Sequence, residues 1–423
     1  MLDQEVGQEA GTDRRAAAEA TGGSDRAGRL FRLRDGFRRA QVAIAALFWA
    51  LGFQYGTWAS RLPTIKGRLD LSTAEVGLLL MACGAGAAAS FPLVAVLTKR
   101  LGSRQLACLS GGLLALLLPA LAVAPDYPVA LVIVCCDGIL VGCLNVAMNA
   151  QGAALEVVYD RRSMGKFHAT FSAGSLCAAL LASGMNLITS SLLAHFAVAT
   201  VILLLLLGYA RPGLLTQDQQ PKPESKQEQS NHEEPKRKRL PLPSRITIWM
   251  GLAMAFGTVT EGAMNDWSAL YLKNVAHAAA ELAPMGIAVV SVMMVLARVF
   301  ADGWRARWGD ARIVRVGSAT AGIGLALALL VGGVVPALLG FACVGLGVAA
   351  VTPCVYMAAA RQGSDALALV AAMGTTGMLA GPAVIGFIAS ASSLAWGMGA
   401  VAASAVAVSL CSTRIRWPAR AED

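Results

Sequence analysis

The chain has little charge and few aromatic rings. Only 14% of its 423 residues are Asp, Glu, Lys or Arg and 6% are Phe, Trp or Tyr, while 56% are hydrophobic. Soluble domains carry roughly 25% charged residues. A soluble core cannot absorb this much apolar surface in one chain, so the composition excludes an ordinary soluble domain and points to a bilayer. Signatures of chemistry are missing as well. Gly165-Lys166 lacks the upstream glycine and the following Ser or Thr of a phosphate loop. No His-Glu-x-x-His, no Gly-x-Ser-x-Gly and no Cys/His cluster occurs. These absences argue against ATP drive from this chain and against an enzyme, and no cofactor or metal site is expected. The nine cysteines (83, 108, 135, 136, 143, 177, 343, 354 and 411) all lie within or beside apolar runs. They read as small buried hydrophobes, with a disulfide or a metal site as the alternatives.

What the chain does have is long apolar runs. A membrane span needs about 20 mainly apolar residues, and twelve stretches qualify: 40–62, 74–97, 104–124, 128–150, 166–188, 191–210, 246–271, 282–303, 313–333, 335–358, 366–390 and 393–412. The expected fold class is an all-α membrane protein of twelve transmembrane helices, arranged as two pseudo-symmetric six-helix bundles. The expected divisions are a disordered basic head (1–39), a first bundle (40–210), a linker (211–245), a second bundle (246–412) and a tail (413–423). The head carries Asp3, Glu5, Glu9 and Asp13 ahead of any apolar run, which does not fit a cleavable signal peptide. Its end, Arg29 to Arg39, reads either as a surface-lying amphipathic stretch or as the positive flank of the first helix.

The net charge of +9 is a topology signal and not a nucleic-acid footprint. With both termini inside, all but five of the 35 Lys and Arg fall on the inner side; the exceptions are Arg61, Lys66, Arg68, Lys273 and Arg298. That asymmetry orients the bundle. The run Lys236-Arg237-Lys238-Arg239 belongs to the same solvated cytoplasmic linker. The two halves also echo each other. Trp58 near the end of helix 1 corresponds to Trp267 in helix 7, and Arg100-Leu101-Gly102 after helix 2 corresponds to Arg307-Trp308-Gly309 after helix 8. A six-helix unit used twice is characteristic of secondary transporters.

Six plus six helices, a charged central linker and these loop motifs resemble the major facilitator superfamily over residues 40–412. Its loop after helix 2 usually reads Gly-x-x-x-Asp-Arg-x-Gly-Arg-Arg. Here Ala95 and Lys99 stand for the Gly and Asp, and Arg100, Gly102 and Arg104 are kept. A narrower likeness is to the fucose-permease-like branch. It is carried by Gly142-Cys-Leu-Asn145-Val-Ala-Met-Asn149-Ala-Gln151, by Phe167-His168-x-x-Phe171-Ser172-x-Gly174 and by Glu261-Gly-Ala-Met-Asn265-Asp266-Trp267-Ser268. The likeness implies proton-coupled carriage of sugar- or polyol-like solutes at the inner membrane by a monomer, with helices 1, 4, 7 and 10 around the cavity. Asn145 stands where that branch carries an acid.

Ionisable groups inside spans are costly in hydrocarbon, so each is a functional candidate. Glu261 and Asn265 share a face of helix 7 near mid-depth. A partly desolvated carboxylate there is a candidate proton site; the alternative is a structural hydrogen bond. Asp266 lies about 140° around the helix from Glu261, as a second proton candidate or a cap. Asp137, two turns outward from Asn145, either replaces the missing acid or pairs with a neighbour. Asn145 and Asn149 share a face of helix 4, and amides suit hydroxylated ligands; interhelical bonding is the other reading. Gln54, Trp58, His168 and Trp267 complete the candidate substrate set, with an interfacial aromatic belt as the alternative for the tryptophans and a satisfied interhelical donor for His168. Arg298 and Asp302, four apart, read as a pair that with Arg100 and Arg307 forms an inner gate.

Gly381-Pro382 with Gly377 and Gly386 gives helix 11 a small-residue face and a kink. The resulting expectation is an alternating-access carrier of a small hydroxylated solute, probed against an exporter of amphipathic molecules and a non-transporting membrane sensor.

Overall fold

The computed structural model describes residues 36–161, 163–216 and 244–417. The expected head through residue 35, the linker over 217–243 with its basic run, and residues 418–423 lie outside the described residues. The rest is helical: α1 (Gly36–Ala59), then α2 (Leu62–Arg68), α3 (Thr73–Ala122), α4 (Tyr127–Tyr159), α5 (Met164–Ile188), α6 (Leu192–Ala210), α7 (Arg245–Asn274), α8 (Met285–Trp308), α9 (Asp310–Val331), α10 (Val334–Val348), α11 (Val351–Ala360), α12 (Ser364–Ala391) and α13 (Leu394–Ser412). Among the described residues nine helical stretches are long and apolar enough to cross a membrane by length and composition.

One of those stretches, α3, holds two of the expected spans. Its 50 residues measure about 75 Å at 1.5 Å per residue, far beyond a hydrocarbon core of about 30 Å. The chain turns at Gly102, where φ is 74° and ψ is 161°. Gly309, between α8 and α9, has φ 77° and ψ 153°. The two motifs that echo in sequence therefore place a glycine in the same left-handed conformation, which a residue with a Cβ adopts only under strain. With α3 counted as two crossings, and with the less apolar α7 and α8, the architecture is an all-α membrane protein of two pseudo-symmetric six-helix halves, α1–α6 and α7–α13.

Local chemistry sets the ends. Ser72 and Glu75 form a reciprocal capping box at the start of α3, and Asp126, Ser191 and Ser244 cap α4, α6 and α7 through their side chains. Each satisfies a backbone N–H that the helix itself leaves open.

The expected span 335–358 is broken in two. The helix stops at Val348 and resumes at Val351. Pro353 lies four residues past Ala349, and a proline ring clashes with the carbonyl four positions back. The sequence also gave no warning of α2, a one-and-a-half-turn helix of seven residues between the first and second spans.

The halves meet mainly through α3 on α12 and α5 on α8. Gly77 and Gly386 sit backbone to backbone there; a Cβ on Gly77 would lie 3.0 Å from Gly386 Cα and 3.0 Å from Pro382 O. The expected small-residue face of α12 is thus split. Gly386 meets the other half, while Gly377 and Gly381 face Ala255 and Val259 of α7. Within the first half, Gly138 and Gly142 let α4 approach Cys83, Ala87 and Ser90 of α3.

Closure between the halves is one-sided. At the end that carries the α1–α2, α5–α6 and α7–α8 connections, Asn186 Nδ2 donates to Ala280 O at 2.8 Å and Ser183 Oγ donates to Glu281 O. Ala59, Ala179, Ala269, Ile287 and Ala288 form one buried cluster across both halves. Among the described residues, every hydrogen bond between the halves lies at the level of Arg298 or nearer this end. The opposite end carries the basic loops after Lys99, Asp160 and Trp308.

Candidate functional site

Helix α7 organises the site. Glu261 lies about 24 Å from one end of α7 and about 20 Å from the other, counting residues. Its Oε1 accepts from Arg298 Nη2 of α8 at 3.1 Å, with side-chain exposures of 28% and 22% respectively. The same guanidinium donates through Nη1 to Ser172 Oγ and, at 3.5 Å, to the His168 backbone oxygen, both on α5 of the other half. One arginine thus joins α5, α7 and α8. Charge exposed to this degree at mid-depth is tolerated in a bilayer only where it faces water between helices.

Asn265 does not reach outward from this pair. Its Nδ2 donates back to the Glu261 backbone oxygen at 3.2 Å, one turn earlier on its own helix. His168 is exposed and sets its ring against the edge of Phe48, 5.2 Å between centroids. Ser172 had drawn no role from sequence beyond its place in a motif. The same motif has a packing function: Gly174 lies against Trp49 O of α1, and Gly52 of α1 against Phe171 O.

A second, buried polar layer lies toward the closed end. Gln54 Nε2 donates to Asp137 Oδ1 at 2.7 Å, and Cys83 Sγ is 3.9 Å from Asp137 Oδ2. Beside it, Tyr55 of α1 donates to Asp266 of α7, linking the halves. Asp137 and Asp266 are 5% and 3% exposed, and both lie within electrostatic range of Tyr55 and Cys83. Asp266 is neither a cap nor a loop partner. Tyr55 escaped notice in the sequence because a tyrosine near the end of a span reads as an interfacial aromatic.

The two candidate tryptophans are buried within the protein, whereas those of an interfacial belt face lipid. Trp58 and Trp267 are 1% and 0% exposed and sit in one apolar core with Ala50, Phe53 and Leu270. Neither presents a ring face to a solute in this state. On α4, Asn149 Nδ2 donates to Asn145 Oδ1 at 2.7 Å and to Asn145 O at 2.8 Å. The two amides share a face and bond each other, and Asn145 remains exposed.

The expected gate residues are dispersed. Arg100 and Arg307 are exposed at the basic-loop end. The ion pair described at the α8–α9 turn is Arg305 with Asp310, at 2.8 and 3.2 Å. Asp302 lies on α8, its side chain outside the described residues. All nine cysteines are free thiols, five intermediate or exposed and four buried.

Residues 11–155 and 44–365 match the Major Facilitator Superfamily. An uncharacterized MFS-type transporter of Yersinia pestis is 32% identical over 372 residues, covering 86% of this chain and 92% of that protein. Among solved structures, a mutant of the nucleoside transporter NupG superposes with a TM-score of 0.67 at 14% identity, over 88% of this chain and 99% of that one. The MFS transporter FucP in the outward conformation gives 0.59 at 16% identity, over 90% and 100%. At such identities the structural likeness is one of fold. The family match and the Yersinia relative carry the assignment: the chain belongs to the Major Facilitator Superfamily and is a multi-pass membrane transport protein.

Proposed function

We propose that this protein is a proton-coupled carrier of a small hydroxylated organic solute, working by alternating access in a bacterial inner membrane with both termini cytoplasmic. The carrying observation is the Glu261–Arg298 ion pair at mid-depth, bonded onward to Ser172 of the other half. A carboxylate that is partly exposed there, and whose partner touches both halves, has a means of linking its protonation to the arrangement of the halves. The basic loops belong on the cytoplasmic side by charge asymmetry, so closure at the opposite end makes this an inward-facing state. Asn145 and Asn149 supply amide groups for hydroxyls, and Tyr55–Asp266, beside the Gln54–Asp137 pair of the first half, ties the halves together on the periplasmic side.

The test is flux in proteoliposomes. Glu261→Gln is expected to retain solute exchange at equilibrium and to lose accumulation driven by an imposed pH gradient. Undiminished accumulation by the variant overturns the coupling role.

A further inference from the structure

Building on that reading, we infer that Arg298 is a substrate-binding residue and that the solute is a small hydroxylated carboxylate, which takes the guanidinium from Glu261 as Glu261 takes up a proton. The motivating geometry is the pair itself. Arg298 and Glu261 are in contact at 3.1 Å, yet 22% and 28% of their side chains remain exposed. A planar guanidinium presents several donors in a fork that matches a carboxylate. Here Nη1 is held by Ser172 and His168 O, and Nη2 by Glu261 alone. The Glu261 contact is therefore the one that an incoming carboxylate replaces.

Charge balance selects the class of solute. As a pair, the site is neutral. An incoming anion meets the Glu261 carboxylate unless that group is protonated; once it is, Arg298 is a cation lacking its counter-charge. Proton and carboxylate then bind together. The proton adds to a Glu261 oxygen, the substrate carboxylate pairs with Arg298, and release of both restores the ion pair. A cation would face the reverse field, and a neutral polyol would leave the pair intact, with no electrostatic link to the proton.

Among the described side chains little else nearby competes for this role. His168 on α5 lies within electrostatic range of Arg298, and Asp302 follows Arg298 on α8 with its side chain outside the described residues. Of the other elements on α7, α10, α11 and α13 carry no charged residue, although α10 has Cys343, α11 has Tyr356 and Cys354, and α13 has Cys411. The acid of α12 is Asp365 in its first turn, and Lys66 and Arg68 of α2 lie at the closed end. From α1 comes Tyr55, engaged with Asp266 five residues along α7.

The experiment compares matched probes on the purified full-length protein: gluconate against sorbitol, galacturonate against galactose, and lactate against 1,2-propanediol. Thermal unfolding is followed at pH 5.5 and pH 8. The expected result is an upward shift of several degrees with one or more carboxylates, larger at pH 5.5, and little with the neutral partner. Glu261→Gln should show that shift at both pH values, because its Arg298 is always free. Arg298→Gln should lose it, and Arg298→Lys, which keeps the charge, should recover part of it, guarding against a simple folding defect.

Equal stabilisation by the neutral partner, retention of the shift in Arg298→Gln, or no shift with any carboxylate in the wild type and Glu261→Gln overturns the inference. The two proposals fail separately. Gradient-driven accumulation of a neutral solute through Glu261 would leave the carrier reading standing and remove this one. A carboxylate that stabilises through Arg298 without flux in either direction would do the reverse.

Discussion

Arg298 and Glu261 stand 37 positions apart in the chain and 3.1 Å apart in the fold, and the same guanidinium reaches Ser172 on the opposite half of the molecule. This single side chain connects a carboxylate to the interface between the two halves.

Ser172→Ala removes the shorter of the two cross-half bonds from Arg298, leaves the 3.5 Å contact with the His168 backbone oxygen and keeps the ion pair. Hydrogen bonds to charged groups contribute about 1.5–3 kcal/mol, so the balance of states should move by roughly tenfold or more away from the arrangement closed at the α5–α6 and α7–α8 connections. A cysteine at Ala59, placed in a background without the native thiols, reports it. Labelling at this buried position should rise in the Ser172 variant; unchanged labelling argues that the bond does not bear on the conformational balance.

Tyr55 and Asp266 should behave as one unit. Tyr55→Phe leaves a buried carboxylate without its partner, and Asp266→Asn removes the charge. A double-mutant cycle on thermal stability is expected to return a coupling of about 0.5–3 kcal/mol, the range for residues in direct contact. Strict additivity would mean that the hydroxyl and carboxylate do not meet in the populated state.

Close backbone contact between halves predicts a sharp dependence on side-chain size. Gly77→Ala or Gly386→Ala inserts a methyl against the backbone of the other half, and overpacking of this kind costs about 1–3 kcal/mol. Gly262→Ala, which meets open space on α7, should be neutral or slightly stabilising in the same melting assay. Equal effects at all three positions would contradict the packing described.

The paired turns make a symmetric prediction. Gly102→Ala and Gly309→Ala each force a Cβ into a positive-φ conformation, so each should lower stability by about 1 kcal/mol or more. Gly303→Ala, inside α8, should not. A penalty in one turn alone would weaken the correspondence between the halves.

Much of the fold was legible because membrane spans write themselves into the sequence as unbroken apolar runs, and because the Arg100-Leu101-Gly102 and Arg307-Trp308-Gly309 echo marks where the structure turns at Gly102 and Gly309. The bilayer fixes the length of each run and the turn fixes the residue, so both signals are local. Contacts were not legible for the opposite reason. The nearest acid to Arg298 along α8 is Asp302, at helical spacing, whereas the Glu261 and Ser172 contacts come from folding two other helices against it. Tyr55 and Asp266 are separated by 211 positions, and no pattern along the chain joins them. The break at Ala349 was present in the sequence as Pro353, but the surrounding hydropathy concealed it. Trp58 and Trp267 are both buried in one core, and their burial came only with packing, since a tryptophan near a span's end suits a core and an interface equally.

The most direct test of the central claim is whether Glu261 binds and releases a proton. Infrared difference spectra of the purified protein, recorded between acid and alkaline pH, resolve the C=O stretch of a protonated carboxyl group. The account predicts that one component of the titrating band is missing in Glu261→Gln and present in Asp137→Asn and Asp266→Asn. A wild-type band that survives unchanged in Glu261→Gln would contradict it.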